Sequence, residues 1–391
     1  MVRVLHRGCG TVPLLGVSTY HNDPPTYNDI YGAACHNNVD NNEAEVGEAL
    51  GEQDGEGNMR HLIAEVGSCK GDLGYALDAV DQFADVGVFA IKGQLYRSDT
   101  LVAPGTATYG KGLEEPATQH EAFANALSYD EWGVVAEHCQ ERGVEFFGSV
   151  FDFAAVDAAV EQGWRYIKIA SADITYRALL ERAAETGIHI ILSTGAATPA
   201  EIEAAYGWLS GAAVTLLACT LAYPTPLKDA NVDRVGTLSY VMARHGGGLA
   251  GYSDHTRGIV AADYAFRLGA SMVEKHVTLT PGAGGDHNFG VTPSAVKELL
   301  GGWVSNDLDS LVAGSAEIGP SEVESAARRL ARRSVHATAT IKPGGTYTVE
   351  NTAIVRPATG IPPAQWDAVL GHTAAREVPR GQPVVWDDIV R

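Results

Sequence analysis

Between about residue 60 and residue 276 the chain alternates two textures. Short apolar runs end in, or pass straight into, a polar or ionisable side chain, and stretches with helical spacing separate most of them. The runs at 61–66, 87–92, 144–148, 164–169, 189–192, 213–217, 249–252 and 271–274 predict eight strands. Their polar ends fall at Glu65, at Lys92 and Gln94, then at Ser149, Lys168, Ser193, Tyr223 and His255, and finally at Glu274 with His276. After the first run, Leu77, Val80, Phe83 and Ala84 fit one buried helical stripe. Eight strand–helix units predict a closed α/β fold, a (β/α)8 TIM barrel over residues 59–300. In such a barrel the C-terminal strand ends converge on one active site.

The flanks read differently. Residues 1–58 are rich in Asn, Gly, Asp and Glu, as in His36-Asn-Asn-Val-Asp-Asn-Asn-Glu43, and predict a loosely ordered extension with one helix over 43–50. The long connection 97–120 follows the second strand and is expected to form a lid or substrate wall. Residues 294–333 read as helical, first closing the barrel and then linking onward over 301–333, with a capped start after Pro320-Ser321. From Ser334 to Arg391 short β-like runs are broken by Pro343-Gly-Gly345 and Gly360-Ile-Pro-Pro363, which predicts a small β-rich second domain.

Composition narrows the partners. Asp plus Glu number 48 against 28 Lys plus Arg, a formal net charge of -20, which argues against nucleic acid or an anionic membrane surface. No apolar run approaches the roughly 20 residues needed to span a bilayer. Met1 to Gly10 carry Arg3 and Arg7 without a following apolar core, so no signal peptide is expected. The five scattered cysteines suit a reducing cytoplasm better than a disulfide framework. Against this acidic field an anionic small substrate needs local cations, which singles out Lys92 and Lys168. Together they suggest a phosphate or carboxylate clamp; Lys168 alone could equally form a Schiff base, and either could be a snorkelling surface lysine.

His255 and His276 lie 21 residues apart, about one strand–helix unit, which puts them on neighbouring strands. They could share a metal, with Glu274 beside them on the same strand face, or be two unrelated hydrogen-bonded histidines. Ser171 and Ser193-Thr-Gly195 offer hydroxyls and backbone N–H groups for phosphate, or serve as ordinary caps. Glu65 could carry protons, and Asp286 could bind substrate hydroxyls or be a plain loop carboxylate.

In order along the chain, Ile63-Ala-Glu-Val-Gly67, Ile91-Lys-Gly-Gln94, Ile167-Lys-Ile-Ala-Ser171, Leu192-Ser-Thr-Gly195, Tyr223-Pro-Thr-Pro226, Gly251-Tyr-Ser-Asp-His-Thr256 and Val273-Glu-Lys-His276 resemble the sialic acid (N-acetylneuraminate) synthase family. Arg332-Arg-Ser334, Arg356-Pro357 and Leu370-Gly371 resemble that family's antifreeze-like (SAF) domain. The resemblance implies a metal-dependent transferase that condenses phosphoenolpyruvate with the open-chain aldehyde of an N-acyl hexosamine. The product would be a nonulosonic 2-keto-3-deoxy acid, with phosphate released by C–O cleavage. It implies His255 and His276 as ligands of Mn²⁺ or Mg²⁺. Lys92, Lys168, Ser171, Ser193 and Ser253 would hold phosphoenolpyruvate. Glu65, Gln94, Tyr223, Glu274 and Asp286 would surround the acceptor and reacting centre. Arg356 would reach into the barrel of a partner subunit, giving a domain-swapped homodimer. The chain departs from the family pattern at Ser68-Cys69-Lys70, Val150, Ala218, Leu221 and Gly290-Val291. Two other readings remain: a Schiff-base aldolase using Lys168, and an altered relative that binds a sugar or a partner without catalysis.

Overall fold

The computed structural model of the protein describes residues 60–108 and 118–390. The extension expected over 1–58, with its helix at 43–50, and the middle of the 97–120 connection lie outside the described residues.

Eight parallel strands close into a barrel in sequence order, with β8 returning to β1. They are β1 Leu62–Gly67, β2 Ala90–Leu95, β3 Glu145–Val150, β4 Tyr166–Ile169, β5 His189–Ser193, β6 Val214–Cys219, β7 Gly251–Asp254 and β8 Val273–His276. Nearly every strand residue is buried, because side chains on one face fill the barrel and those on the other meet the helices. Three strands begin and end later than the apolar runs suggest: β2, β7 and β8 continue to Leu95, Asp254 and His276. An ionisable residue normally marks the end of an interior strand. Here the inward side chains at the C-terminal ends face a cavity, so the strands run on through Lys92 and Glu274.

The helix Leu73–Asp85 is capped by Asp72, whose carboxylate accepts from Tyr75 N at 3.0 Å. Its buried stripe is Ala76, Ala79, Val80 and Phe83, a regular i, i+3, i+4, i+7 set. Leu77 and Ala84, expected in that stripe, are only partly buried at its margin. On the outer face of β2, Gly93 has no room for a side chain, since a Cβ there would lie 2.6 Å from the ring of Trp132. The helix Tyr129–Glu141 therefore seats its fully buried tryptophan directly on the strand.

The helical reading of 294–333 holds only in pieces. The helix Pro293–Gly301 stops at Gly302, which takes a left-handed φ of +70°. Short helices Asp309–Ala313 and Ser325–Leu330 follow. Between them Glu324 is buried and accepts from Ala196 N at 2.6 Å and Leu221 N at 2.8 Å. One carboxylate thus ties the linker to the chain ends just above β5 and β6. Ala327 and Ala331 pack there on Ala172, Ala196 and Leu221.

The C-terminal region pairs β9 Ser334–Ala337 with β10 Thr352–Val355, antiparallel, and adds single bridges such as Ile341 to Val378. Buried Val335, Tyr347, Ile354, Val369 and Val384 supply its interior. Arg333 fastens it to the barrel: its guanidinium donates to Asp173 at 2.5 Å, Phe151 O at 2.7 Å and Thr100 O at 3.0 Å. Among the described residues no helix is long and apolar enough to cross a membrane, and Cys69, Cys139 and Cys219 are buried free thiols.

Candidate active site

Barrel register decides which side chains meet. Glu65 on β1 pairs across to Lys92 on β2 and to His276 on β8. Gln94 stands opposite Ser149, Ser149 opposite Lys168, and Ser253 opposite Glu274. These inward positions surround the mouth of the barrel, where a cavity of about 480 Å³ opens. Glu65, Lys92, Gln94, Lys168, Ser171, Ser193, Tyr223, Ser253, His255, Glu274, His276, Asp286 and Arg356 all line it. Every candidate residue of the sequence reading is therefore brought to one place.

At its floor two carboxylates alternate with two ammonium groups. Lys92 Nζ is paired with Glu65, lies 3.5 Å from Glu274 Oε1 and donates to Ser149 Oγ at 2.9 Å. Lys168 Nζ donates to Ser193 Oγ at 2.7 Å and lies 3.8 Å from Glu274 Oε2. Glu65 Oε1 also accepts from Gly67 N at 2.8 Å and Gln94 Nε2 at 3.0 Å, and Glu274 Oε1 accepts from Ser253 Oγ at 3.2 Å.

The shared charges drive the four groups apart in acidity. Burial pushes Glu65 above the usual carboxylate range, and Lys92 only partly offsets it. Burial acts on Glu274 in the same sense, but Lys168 and Lys92 outweigh it and hold Glu274 low. Burial pulls both lysines down; Glu274 and Glu65 reverse this for Lys92, whereas Lys168 stays below its ordinary value. A proton is thus favoured on Glu65 and disfavoured on Glu274.

The two histidines lie side by side, with ring centroids 5.4 Å apart. Burial depresses His255 to about 4 and holds His276 well below the ordinary imidazole value, so both rings are neutral. His255 Nδ1 donates to Thr220 O at 3.0 Å, which leaves its Nε2 lone pair toward the cavity. His276 Nδ1 is buried without a hydrogen-bond partner among the described residues, and Asp286 Oδ2 stands 3.5 Å from it. An orphaned imidazole nitrogen beside a second neutral imidazole and a carboxylate fits a divalent cation. Among the described residues no group of three His, Cys, Asp or Glu forms a metal cage, so the two imidazoles are the ligands this chain would offer. Tyr223 stacks its ring 4.2 Å from that of His255.

Arg356 enters from the C-terminal region. The resemblance placed it in the barrel of a partner subunit; here it reaches the cavity of its own chain. The cause is a backbone bridge to Val102: Arg356 N donates to Leu101 O and Ala103 N to Arg356 O, each at 2.9 Å. The guanidinium lies 5.4 Å from the ring of Phe123 and 5.9 Å from that of Phe151, and Nη1 is 3.4 Å from Gln119 Oε1. Its Nε is buried without a partner among the described residues.

Of the departures from the family pattern, Val150 is buried in the barrel wall outside the cavity, because Ser149 takes the inward position. Leu221 does line the cavity, packed against the linker alanines. The sequence reading did not single out Gln119, Phe123 and Phe151, which line the cavity from the short helix Gln119–Ala122, its C-terminal cap and the turn after β3. Ser149 was recognisable as a strand end, and barrel register gives it a role as partner of Lys92.

Comparison with known proteins places this geometry. The NeuB family model matches residues 79–306 and the SAF domain model residues 332–390. An N,N'-diacetyllegionaminic acid synthase of Legionella pneumophila is 31% identical, over 84% of this chain and 94% of its own. The solved spore coat polysaccharide biosynthesis protein SpsE of Bacillus subtilis superposes with a TM-score of 0.71 at 26% identity, covering 86% of this chain and 97% of that one. An N-acetylneuraminic acid (sialic acid) synthetase of Leptospira borgpetersenii, solved with citrate, matches with a TM-score of 0.55 at 30% identity, over 68% and 89% of the two chains.

Proposed function

Because the chain belongs to the NeuB family and carries a SAF domain at its C-terminal end, we propose that it joins phosphoenolpyruvate to the open-chain aldehyde of an N-acyl hexosamine. The products are a nonulosonic 2-keto-3-deoxy acid and phosphate. The observation that carries the reading is the alternation of Glu65, Lys92, Glu274 and Lys168 beside two neutral imidazoles.

In this reading Lys92 and Lys168, with the hydroxyls of Ser149, Ser171, Ser193 and Ser253, seat the phosphate and carboxylate of the donor. His255 and His276 would hold Mn²⁺ or Mg²⁺, which when bound supplies polarisation of the aldehyde oxygen. C3 of phosphoenolpyruvate attacks the aldehyde carbon and water adds at C2. Glu65, favoured to hold a proton, delivers it to the new alkoxide and recovers one from the water. The second water proton leaves with phosphate as the C2–O bond to phosphate breaks. Glu274 stays ionised and fixes both lysines. Gln94, Tyr223 and Asp286 contact the acceptor, and Arg356 closes the far wall beside Phe123 and Phe151.

We further propose a domain-swapped homodimer, in which Arg356 of one chain would serve the barrel of its partner; within a single chain Arg356 already lines the cavity.

The test is phosphate release from phosphoenolpyruvate with Mn²⁺ and a panel of N-acyl hexosamines, with mass spectrometry of the product. Release that needs all three, with a product nine carbons long in its backbone, supports the reading; no release across the panel overturns it. The lowered pKa of Lys168 favours one competitor, a Schiff-base aldolase. Borohydride trapping of pyruvate on Lys168 would select it.

A further inference from the structure

A second cavity, of about 430 Å³, lies outside the barrel mouth, where the linker helix Ser325–Leu330 meets the turn after Arg356. Its walls carry Arg328, Arg329, Arg332 and Arg333 in a chain whose formal charge is -20. The four are not equivalent. Arg333 is spent on Asp173 and on three backbone carbonyls of the barrel top and β10. Arg328 and Arg332 share Glu201 and the Ala196 carbonyl. Arg332 is 5% exposed and its Nε has no partner. Arg329 is exposed, and its side chain has no partner among the described residues.

Among the described lining residues three guanidiniums therefore face one carboxylate, Glu201, with the buried Glu324 also acting on Arg332, around an open cavity that also offers the hydroxyls of Thr175 and Ser325. Burial holds Arg332 below the ordinary guanidinium value despite both carboxylates. Forked guanidiniums and hydroxyls around a small concavity match a phosphate group better than a point cation site would.

We infer that this cavity binds a phosphate-bearing small anion, with Arg329 and Arg332 as its cationic wall and Arg328 held in place by Glu201. The opposite wall is Ala358 and Gly360, directly after Arg356, and Ala358 N already donates to Arg329 O at 3.0 Å. An anion there braces the turn that delivers Arg356 to the active site; that consequence rests on the proposed function, whereas the binding does not.

The experiment is calorimetric titration of the full chain with inorganic phosphate and, separately, with a hexosamine 6-phosphate, in wild type, Arg329→Glu and Arg329→Lys. Wild type is expected to show a binding event that persists under saturating phosphoenolpyruvate. Arg329→Glu should weaken it about tenfold or more, the loss of one charge-assisted hydrogen bond plus a reversed charge, while Arg329→Lys, which keeps the charge but loses the fork, should weaken it less. Arg329 is exposed, so the melting temperature should not move. Tighter binding of the ester than of free phosphate identifies the ester as the source, and the reverse identifies phosphate. Malonate should compete about tenfold less well. The inference is overturned if phosphoenolpyruvate removes all phosphate binding, if Arg329→Glu binds as wild type does, or if malonate competes equally. Failure of the condensation assay with the Arg329-sensitive event intact would sink only the proposed function.

Discussion

Strand β8 carries two buried charges next to each other, and they do different things. Glu274 points into the barrel, where it meets Lys92 and Lys168. Lys275 points out, fully buried, and pairs with Asp254 at 2.8 Å. The outer pair is closed on itself: Lys275 also donates to Thr256 O, and the second oxygen of Asp254 accepts from Thr256 N at 2.7 Å. The inner set is not closed. Among the described residues His276 Nδ1 is buried without a hydrogen-bond partner and Glu274 Oε2 has only Lys168 at 3.8 Å, whereas Glu65 Oε2 is taken up by Lys92. Burial alone thus does not mark function, since both sets are equally dry. What separates them is spare hydrogen-bonding and ligating capacity, retained on the face that opens to the cavity.

The comparison breaks most sharply at His276. His276→Ala should lower kcat/KM by about a hundredfold or more under saturating Mn²⁺, because polarising the aldehyde is worth several kcal/mol. The melting temperature should barely change, and a near-normal rate would make the ring structural. Next come the lysines. Lys275→Met strands a buried carboxylate and should cost about 3–5 kcal/mol in urea unfolding. Lys92→Met should cost about 0–2 kcal/mol, since Glu65 can take up a proton, yet abolish turnover. If the two variants lose stability equally, the distinction between closed and open sets fails.

A mixing test sharpens where the inner set ends. Arg356→Ala and His276→Ala chains, co-expressed, should give no active dimers if each chain completes its own cavity. Recovery of activity would mean that the C-terminal domains are exchanged between subunits. The smallest effect concerns a carboxylate shared by two arginines outside the barrel mouth. Burial would raise Glu201, but Arg328 and Arg332 outweigh it and bring its pKa from 4.5 to about 2. Its folded value is the lower one, so its contribution is full above about pH 4.5 and is lost as pH falls toward 2. Glu201→Gln should lower stability by about 1–2 kcal/mol above pH 5 and flatten the acid limb, so that the variant and wild-type curves converge as pH falls toward 2. An unaltered acid limb would count against that pairing.

Much of this arrangement was legible in the chain. The barrel could be read because its strands are buried on both faces and stand out as apolar runs. Glu65, Lys92, Lys168, His255 and His276 could be read because each interrupts such a run. Lys275 could not be separated from Glu274 by composition; only the period-two alternation, applied to a strand ending later than its apolar run, turns one inward and the other outward. The linker's helical reading failed at Gly302, where the backbone turns left-handed. Gln119 and Phe123, at a one-turn helix, and Phe151, in the turn after β3, were out of reach, because tertiary contacts set their course. Arg356 was picked out through the resemblance; the way a single chain brings it to its cavity was not legible. That depends on the bridge to Val102, which joins positions 254 residues apart.

This bridge also limits how the chain can be trimmed. Cutting it after the linker would delete more than an appendage. Leu101 O and Ala103 N would lose the main-chain groups they now satisfy, Phe123 and Phe151 would be bared to water, and the barrel rim would need a substitute edge. A barrel-only truncation is for this reason a poor starting point for engineering, and any transplanted C-terminal module must bring a residue able to dock at Val102.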